Sequence, residues 1–246
     1  MKRLLDISIA GFALVLLIPA LAAIAAAVWI EDRGSPWYRG VRVGRGGREF
    51  RMLKFRSMRP EACKTGVNST ASGDARITRV GRFLRAGKID ELPQLWNVVM
   101  GEMSLVGPRP QVPAEASLYT PEELWMLEVR PGITDLASIV FSDEGEILAG
   151  SADPDLLYNQ IIRPWKSRLA LLYVDRGSWT TDVRILGWTA GALVSRRWAL
   201  DRVGKLLEGW GAGQLLLRMA GRGEPLVAYP PPGAQAVVSC YRVKTA

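Results

Sequence analysis

The sequence predicts an α+β fold, mainly helical, with a small antiparallel β-hairpin and an N-terminal helix that belongs in a membrane. Three observations predict it. Ile7 to Ile30 form an uncharged apolar run of 24 residues. Two short alternating segments flank a Gly-rich turn, "GRGGR". Apolar residues then recur at helical spacing through much of the remaining chain. At 48% hydrophobic over 246 residues, the chain has the means to bury a core of its own.

The apolar run exceeds the roughly 20 residues that cross a bilayer as a helix. It also exceeds the about 7–15 residues of a secretory signal core, despite a cleavage-like "AAIAAA". Pro19 stands at its midpoint, where it deletes a backbone hydrogen bond and favours a kink. Lys2 and Arg3 precede the run; Arg33, Arg39, Arg42, Arg45, Arg48 and Arg51 follow it. Positive charge on both flanks draws both ends to the cytoplasmic side. A helix that dips in, bends at Pro19 and returns satisfies both flanks; the alternative is an ordinary tilted span with a tolerated proline.

"WYRGVRV" and "EFRMLKFRSM" read as the two strands of the hairpin. Strand alternation puts Leu53 and Phe55 on one face and Lys54 and Arg56 on the other. Pro60 to Arg76 are polar and read as a long loop of the kind that often binds or covers ligands. "ITRVGRFLRAGKIDELPQLWNVV" reads as helix, turn, helix, and "GPRP" as a stiff non-helical turn. "EELWMLEVRPGI", "NQIIRPWKSRLALLYV" and "DVRILGWTAGALVSRRW" read as further helices. In the last, Val183, Leu186, Ala190 and Leu193 form an apolar stripe near Arg184, Arg196 and Arg197, with Trp179, Trp188 and Trp198. That mixture suits a helix in the membrane interface as well as an ordinary amphipathic helix. After Ala199 the pattern loosens, and "GRGEPLVAYPPPGAQ" reads as a linker. The expected organisation is residues 1–30, membrane helix; 31–198, main domain; 199–246, C-terminal extension.

Charge and missing residues narrow the chemistry. Net charge is +8, and Glu31 to Glu91 hold 15 Lys/Arg against 7 Asp/Glu, so the excess is local and calls for an anionic partner. Cys63 and Cys240 lie far apart and frame no disulfide or zinc site. There is no histidine, which excludes Ser-His-Asp triads, Cys-His pairs, HExxH zinc sites and any imidazole base. "GRFLRAGKI" misses the P-loop pattern, and "GRGGRE" lacks the last glycine of GxGxxG.

Two adjacent acids, Asp90 and Glu91, stand in the most basic region. With Asp90 at or near a helix N-cap, Pro93 falls in the first turn, where proline costs little. Asp90, Gln94 and Asn97 then make a polar stripe, and Leu92, Leu95, Trp96 and Val99 cover the buried side. Glu91 points about 100° away from Asp90, so the two acids serve different roles. A helix N-terminus favours phosphate. Arg82, Arg85 and Lys88 are close in sequence, and Lys54, Arg56, Arg109 and Arg130 can converge from other elements. The bland alternative is a capping Asp and a dipole-complementing Glu. The chain would then be a non-catalytic, membrane-anchored basic module gripping anionic lipid or nucleic acid.

"KRLLD" before a Pro-interrupted membrane helix, "KFRSM", "LRAGKIDELPQLWNVVMGEMSLVGPRP" and "VRPGIT", in that order, resemble the bacterial sugar transferases, more exactly the monotopic polyprenyl-phosphate hexose-1-phosphate transferases. The resemblance covers about residues 2 to 198. It implies a re-entrant first helix kinked at Pro19, on the cytoplasmic face of the bacterial inner membrane. It implies transfer of a sugar-1-phosphate from a UDP-sugar to undecaprenyl phosphate with release of UMP. Asp90 matches the nucleophile that forms a covalent aspartyl phosphosugar, and Glu91 the Mg²⁺ ligand. A carboxylate is already ionised near neutral pH, which suits a chain without histidine. Phosphate-binding positions fall on Lys54, Arg85, Arg109 and Arg130, with Arg56 and Asn97 added. No nucleic-acid partner is implied; the extension after Ala199 is expected to serve self-association. Ile18 stands where many members have Ser, and "GITDLASIVFSDEGEIL" departs from the common "GITGWAQV".

Overall fold

The computed structural model describes residues 1–59 and 74–240. Most of the expected loop Pro60–Arg76 lies outside them.

The apolar run forms one long helix, α1 (Lys2–Asp32), which continues through Pro19. Its first turn is anchored by the charged residues that precede the run. Lys2 meets Asp182 at 2.5 Å and donates to Val106 O; Arg3 donates to Val98 O and Val99 O. Buried Asp6 accepts from Ser104 Oγ and Leu105 N. Its last turn is anchored too. Glu31 accepts from the backbone N–H of Arg79, and Asp32 meets Arg56 at 2.5 Å. Val28 packs with Phe55 and Leu84. Both ends of α1 therefore rest on the same globular body. The outward face stays apolar: Leu4, Phe12, Val15, Leu16 and Ile30 are each at least 61% exposed.

The hairpin forms as β1 (Trp37–Val43) and β2 (Glu49–Phe55), antiparallel with Trp37 opposite Phe55 and Val43 opposite Glu49. The turn needs positive φ at Gly46 (67°) and Gly47 (74°), which glycine supplies without strain. Alternation carries Lys54 onto the inward face behind buried Phe50 and Met52. Arg56, one residue past the strand, leaves it and turns to α1 instead.

The next segment differs in detail from helix, turn, helix. α2 (Arg79–Ala86) is capped by Thr78, whose hydroxyl accepts from Gly81 N. Lys88 then takes a left-handed conformation, and Ile89–Glu91 form a single 3₁₀ turn. α3 (Gln94–Met100) begins only after Pro93. Asp90 is thus not the N-cap: it accepts no capping bond, and the proline takes that place. The sides of α3 also differ. Gln94 and Asn97 are buried, at 1% and 2% exposure, while Trp96 is half exposed. Asn97 turns inward because its amide ties α3 to β2, accepting from Leu53 N and donating to Arg51 O.

Beyond α3, β3 (Ser104–Val106) pairs in parallel with β4 (Gly132–Thr134). The strands come so close at Gly107 and Gly132 that a Cβ on Gly107 would stand 2.4 Å from Arg130 O. Between them lie α4 (Pro113–Ala116) and a 3₁₀ stretch, Glu123–Glu128, where an α-helix was expected. Pro131 holds the preceding residues extended and stops the stretch early. The helical remainder is α5 (Leu136–Val140), α6 (Glu144–Ile147), α7 (Pro154–Ile161), α8 (Arg163–Arg176), α9 (Trp179–Ala192), α10 (Arg196–Gly209) and α11 (Gln214–Gly221). One core joins them, with Val98, Val106, Ile139, Ile162, Trp165, Leu169 and Ile185 at its centre. The loosened pattern after Ala199 nonetheless folds as α10 and α11. Ala199, Val203 and Leu207 keep helical spacing and enter the same core. The linker-like stretch lies against α8, with Tyr229 4.8 Å from Trp165.

Candidate active site

The 3₁₀ turn Ile89–Glu91 lies against β2, α2 and the "GPRP" segment, and its two acids diverge as the helical rotation requires. Glu91 is saturated. Its Oε1 accepts from Lys54 Nζ at 2.9 Å and from Arg109 Nη2, and its Oε2 from Arg109 Nη1 at 3.2 Å. Asp90 is 7% exposed, and its carboxylate has no hydrogen bond or ion pair among the described residues. The charges nearest it are Lys54, Glu91, Arg85 and Arg109.

Electrostatics separate the two acids further. Burial pushes the Asp90 carboxyl above its usual value, and Glu91 adds to the rise; Lys54, Arg85 and Arg109 oppose it without cancelling it. Burial also raises Glu91, but Arg109 and Lys54 outweigh it and hold that carboxyl well below the ordinary range. Lys54 is lowered by burial, with Glu91 pulling the other way. One acid is a locked anion and the other, among the described residues, an unpaired carboxyl in a cationic field.

The "GPRP" segment owes its position to the β3–β4 pair. Gly107 N donates to Thr134 O and Gly132 N to Pro108 O, so "SLVGPRP" and "RPGIT" are stitched side by side. Asp135 caps α5 through Ser138 N at 2.6 Å and also accepts from Arg109 N at 3.3 Å. Around Arg109 stand Glu144, which is ion-paired with Lys166, and Asp135. Asp135, Glu144 and Lys166 had no role in the sequence reading. The signal for Asp135 was the position after "GIT", a helix start; Glu144 and Lys166 carried none, being distant in sequence.

Of the residues expected here, Glu91, Lys54 and Arg109 are bonded together with Asp90 beside them, and Arg85 acts on Asp90 through its charge alone. Arg56, Asn97 and Arg130 do not reach the acids through any described bond. Arg56 serves Asp32, Asn97 serves β2, and Arg130 Nε donates to Gly101 O at 2.9 Å beyond the end of α3. Gln94, one turn past Asp90, keeps its Nε2 buried without a hydrogen-bond partner among the described residues. Pro19 lies in α1, away from the acids.

Magnesium is ordinarily held by one or two carboxylates together with substrate phosphates and water. Adjacent Asp90 and Glu91 fit that donor set, since Glu91 Oε2 takes only one of the described bonds. No cluster of three or more ligating side chains exists among the described residues.

A buried carboxylate without an ion pair among the described residues, a locked neighbouring anion and nearby cations make a site suited to an anionic substrate, on a body that carries the apolar helix α1. The chain belongs to the bacterial sugar transferase family, whose model matches residues 1–196, and it is an enzyme. The UDP-glucose:undecaprenyl-phosphate glucose-1-phosphate transferase of Caulobacter vibrioides is 38% identical over 188 residues, 74% of this chain and 70% of that protein. The UDP-galactose-lipid carrier transferase of Erwinia amylovora is 36% identical over 211 residues, 80% of this chain and 41% of that protein. The UDP-N-acetylgalactosamine-undecaprenyl-phosphate N-acetylgalactosaminephosphotransferase of Aeromonas hydrophila is 40% identical over 142 residues, 56% of this chain and 34% of that protein. The chain thus spans most of the first relative and less than half of the other two.

Proposed function

We propose that this chain moves a sugar-1-phosphate from a UDP-sugar to undecaprenyl phosphate, releasing UMP, as a first membrane step of polysaccharide or glycoconjugate synthesis. The single observation that carries the chemistry is the buried carboxylate of Asp90, without a bond among the described residues, beside the locked carboxylate of Glu91. An Asp90 oxygen attacks the sugar-linked phosphorus; the bond from that phosphorus to the UMP oxygen breaks, and UMP leaves as the anion. The product is an aspartyl phosphosugar. An oxygen of undecaprenyl phosphate then attacks the same phosphorus and returns Asp90 as carboxylate. No proton transfer is needed at the nucleophile, which accords with the absence of histidine.

Lys54, Arg85 and Arg109 hold the diphosphate and offset the charge that develops on it. Lys54 and Arg109 are themselves positioned by Glu91, and the backbone of Arg109 by Asp135. Mg²⁺, held by Glu91 with Asp90 adjoining, would neutralise phosphate charge when bound. The site belongs on the cytoplasmic face of the inner membrane, with α1 re-entrant. Its two ends dock on one body and both flanks are basic, whereas a helix crossing about 30 Å of hydrocarbon delivers its ends to opposite sides.

The relatives' names carry glucose, galactose and N-acetylgalactosamine, so the test uses all three UDP-sugars. UMP release before any lipid acceptor is added is expected with at least one of them, up to one equivalent, with a phosphosugar adduct on the Asp90 peptide by mass spectrometry. Asp90→Asn is expected to release none. Folded protein that releases no UMP with any UDP-sugar of a broad panel would overturn the reading.

A further inference from the structure

Away from the acid pair, α9 and α10 enclose a groove of about 610 Å³ lined by Arg184, Trp188, Trp198, Arg202, Lys205 and Trp210. Its walls follow from helical spacing. Arg184 and Trp188 are four residues apart on α9; Trp198, Arg202 and Lys205 follow at i, i+4 and i+7 on α10. Gly191 admits the groove's outer ring, since a Cβ there would stand 2.3 Å from the Trp198 indole. Arg202 lies over that indole, 5.5 Å from the ring centroid, and is held along the groove by it. Trp188 and Trp210 pack against the core, so their rings are fixed as well.

The charge of this groove is not compensated from within. Arg184 and Arg202 form no ion pair among the described residues. Lys205 meets Asp201 at 3.1 Å, in a pair more than half exposed on both sides. Val183, next to Arg184 on α9, and Leu193 and Val194 at the C-terminal end of α9 are apolar and mostly exposed, Val194 at 92%. Guanidiniums without ion pairs among the described residues, fixed indoles and exposed apolar side chains on the same helix are what an anionic amphiphile requires: phosphate for the first, glycerol and carbonyl level for the second, chains for the third.

We propose that this groove binds the phosphate headgroup of an anionic bilayer phospholipid, with its acyl chains along Val183, Leu193 and Val194. This lipid site is distinct from the cavity beside Arg109, with which it shares no lining residue, and it stands whether or not the proposed transfer is correct. Charge selects the occupant. A zwitterionic headgroup brings an ammonium against Arg184 and Arg202, and a second copy of the chain brings the same cationic wall. A soluble phosphate leaves the apolar strip uncovered.

The experiment uses the full chain in neutral detergent, titrated with dioctanoyl phosphatidylglycerol and, separately, dioctanoyl phosphatidylcholine, with bound lipid counted by native mass spectrometry. One saturable equivalent of phosphatidylglycerol is expected, bound at least tenfold more tightly than phosphatidylcholine. Arg184→Gln/Arg202→Gln is expected to weaken it by roughly fivefold per cation, about 25-fold in all, with the unfolding midpoint and UMP release unchanged. Lys205→Gln alone should lose roughly fivefold. Equal binding of the two lipids would overturn the proposal, as would a double variant that binds like wild type. Displacement of the phosphatidylglycerol by equimolar polyprenyl phosphate or by millimolar inorganic phosphate would also overturn it, assigning the groove to the substrate or to a free anion. So would a dimer that dissociates in the double variant.

Discussion

Asp90 combines two demands that pull against each other. As a nucleophile it must be ionised, yet burial raises its pKa above the ordinary 3.8. Two consequences follow. On the acid side, UMP release should fail at a higher pH than an ordinary aspartate would allow, and a single-turnover pH series reads this directly. The linkage to stability has the opposite sense to that of a salt-bridged acid. A carboxyl raised in the folded state contributes stability below its unfolded pKa and loses it as pH rises through the folded value. Above the folded pKa of Asp90 the wild-type chain therefore carries the cost of an ionised, buried carboxylate without an ion pair among the described residues, which Asp90→Asn removes. The inactive variant is expected to unfold at a temperature equal to or above wild type. A midpoint several degrees lower would mean that Asp90 supports the fold, as a cap does, and would count against its role as a nucleophile.

At the scale of elements, the hairpin was legible because Gly46 and Gly47 punctuate two alternating strands, and α1 because an uncharged run of 24 residues has few alternatives. The pairing of β3 with β4 was not legible. Each strand has three residues, too few to show a period, and their partnership rests on glycines that only a neighbouring backbone explains. That pairing places Arg109, so the residue could be named from the resemblance while its setting could not. Arg56, Asn97 and Arg130 bond to other partners for a related reason: alternation and helical angle fix a side chain's direction, but not which neighbour competes for it. The anchoring of α1 at both ends yields a prediction at this scale. With Cys63 and Cys240 replaced by serine, a cysteine inserted after Met1 and one at Ser35→Cys should both label from the cytoplasmic side of sealed inverted vesicles. Labelling of only one would mean that α1 crosses the bilayer, against the re-entrant arrangement.

Across the whole molecule, the pH dependence of stability is set by buried carboxyls that pull in opposite directions. Glu91 is held down by Arg109 and Lys54, so it contributes stability above its ordinary pKa of 4.5 and loses it only as the pH falls through its lower folded value. Glu115, on α4, behaves in reverse. It is buried, faces Asp155 and Glu144, and is relieved only in part by Lys166 and Arg163, so its carboxyl is pushed up to about 7. Its contribution is complete below 4.5, the unfolded value, and is lost as pH rises toward about 7. A displacement of that size corresponds to about 3 kcal/mol at pH 8. Glu115→Gln keeps the shape and the neutral form at every pH. It should therefore match wild type near pH 4.5 and unfold at a clearly higher temperature at pH 8, with UMP release intact, because Glu115 bonds neither acid of the reaction site. Parallel stability curves for the two proteins between pH 5 and 8 would show that Glu115 ionises as an ordinary carboxyl, and that the buried cluster around α4 and α7 has found its compensation elsewhere.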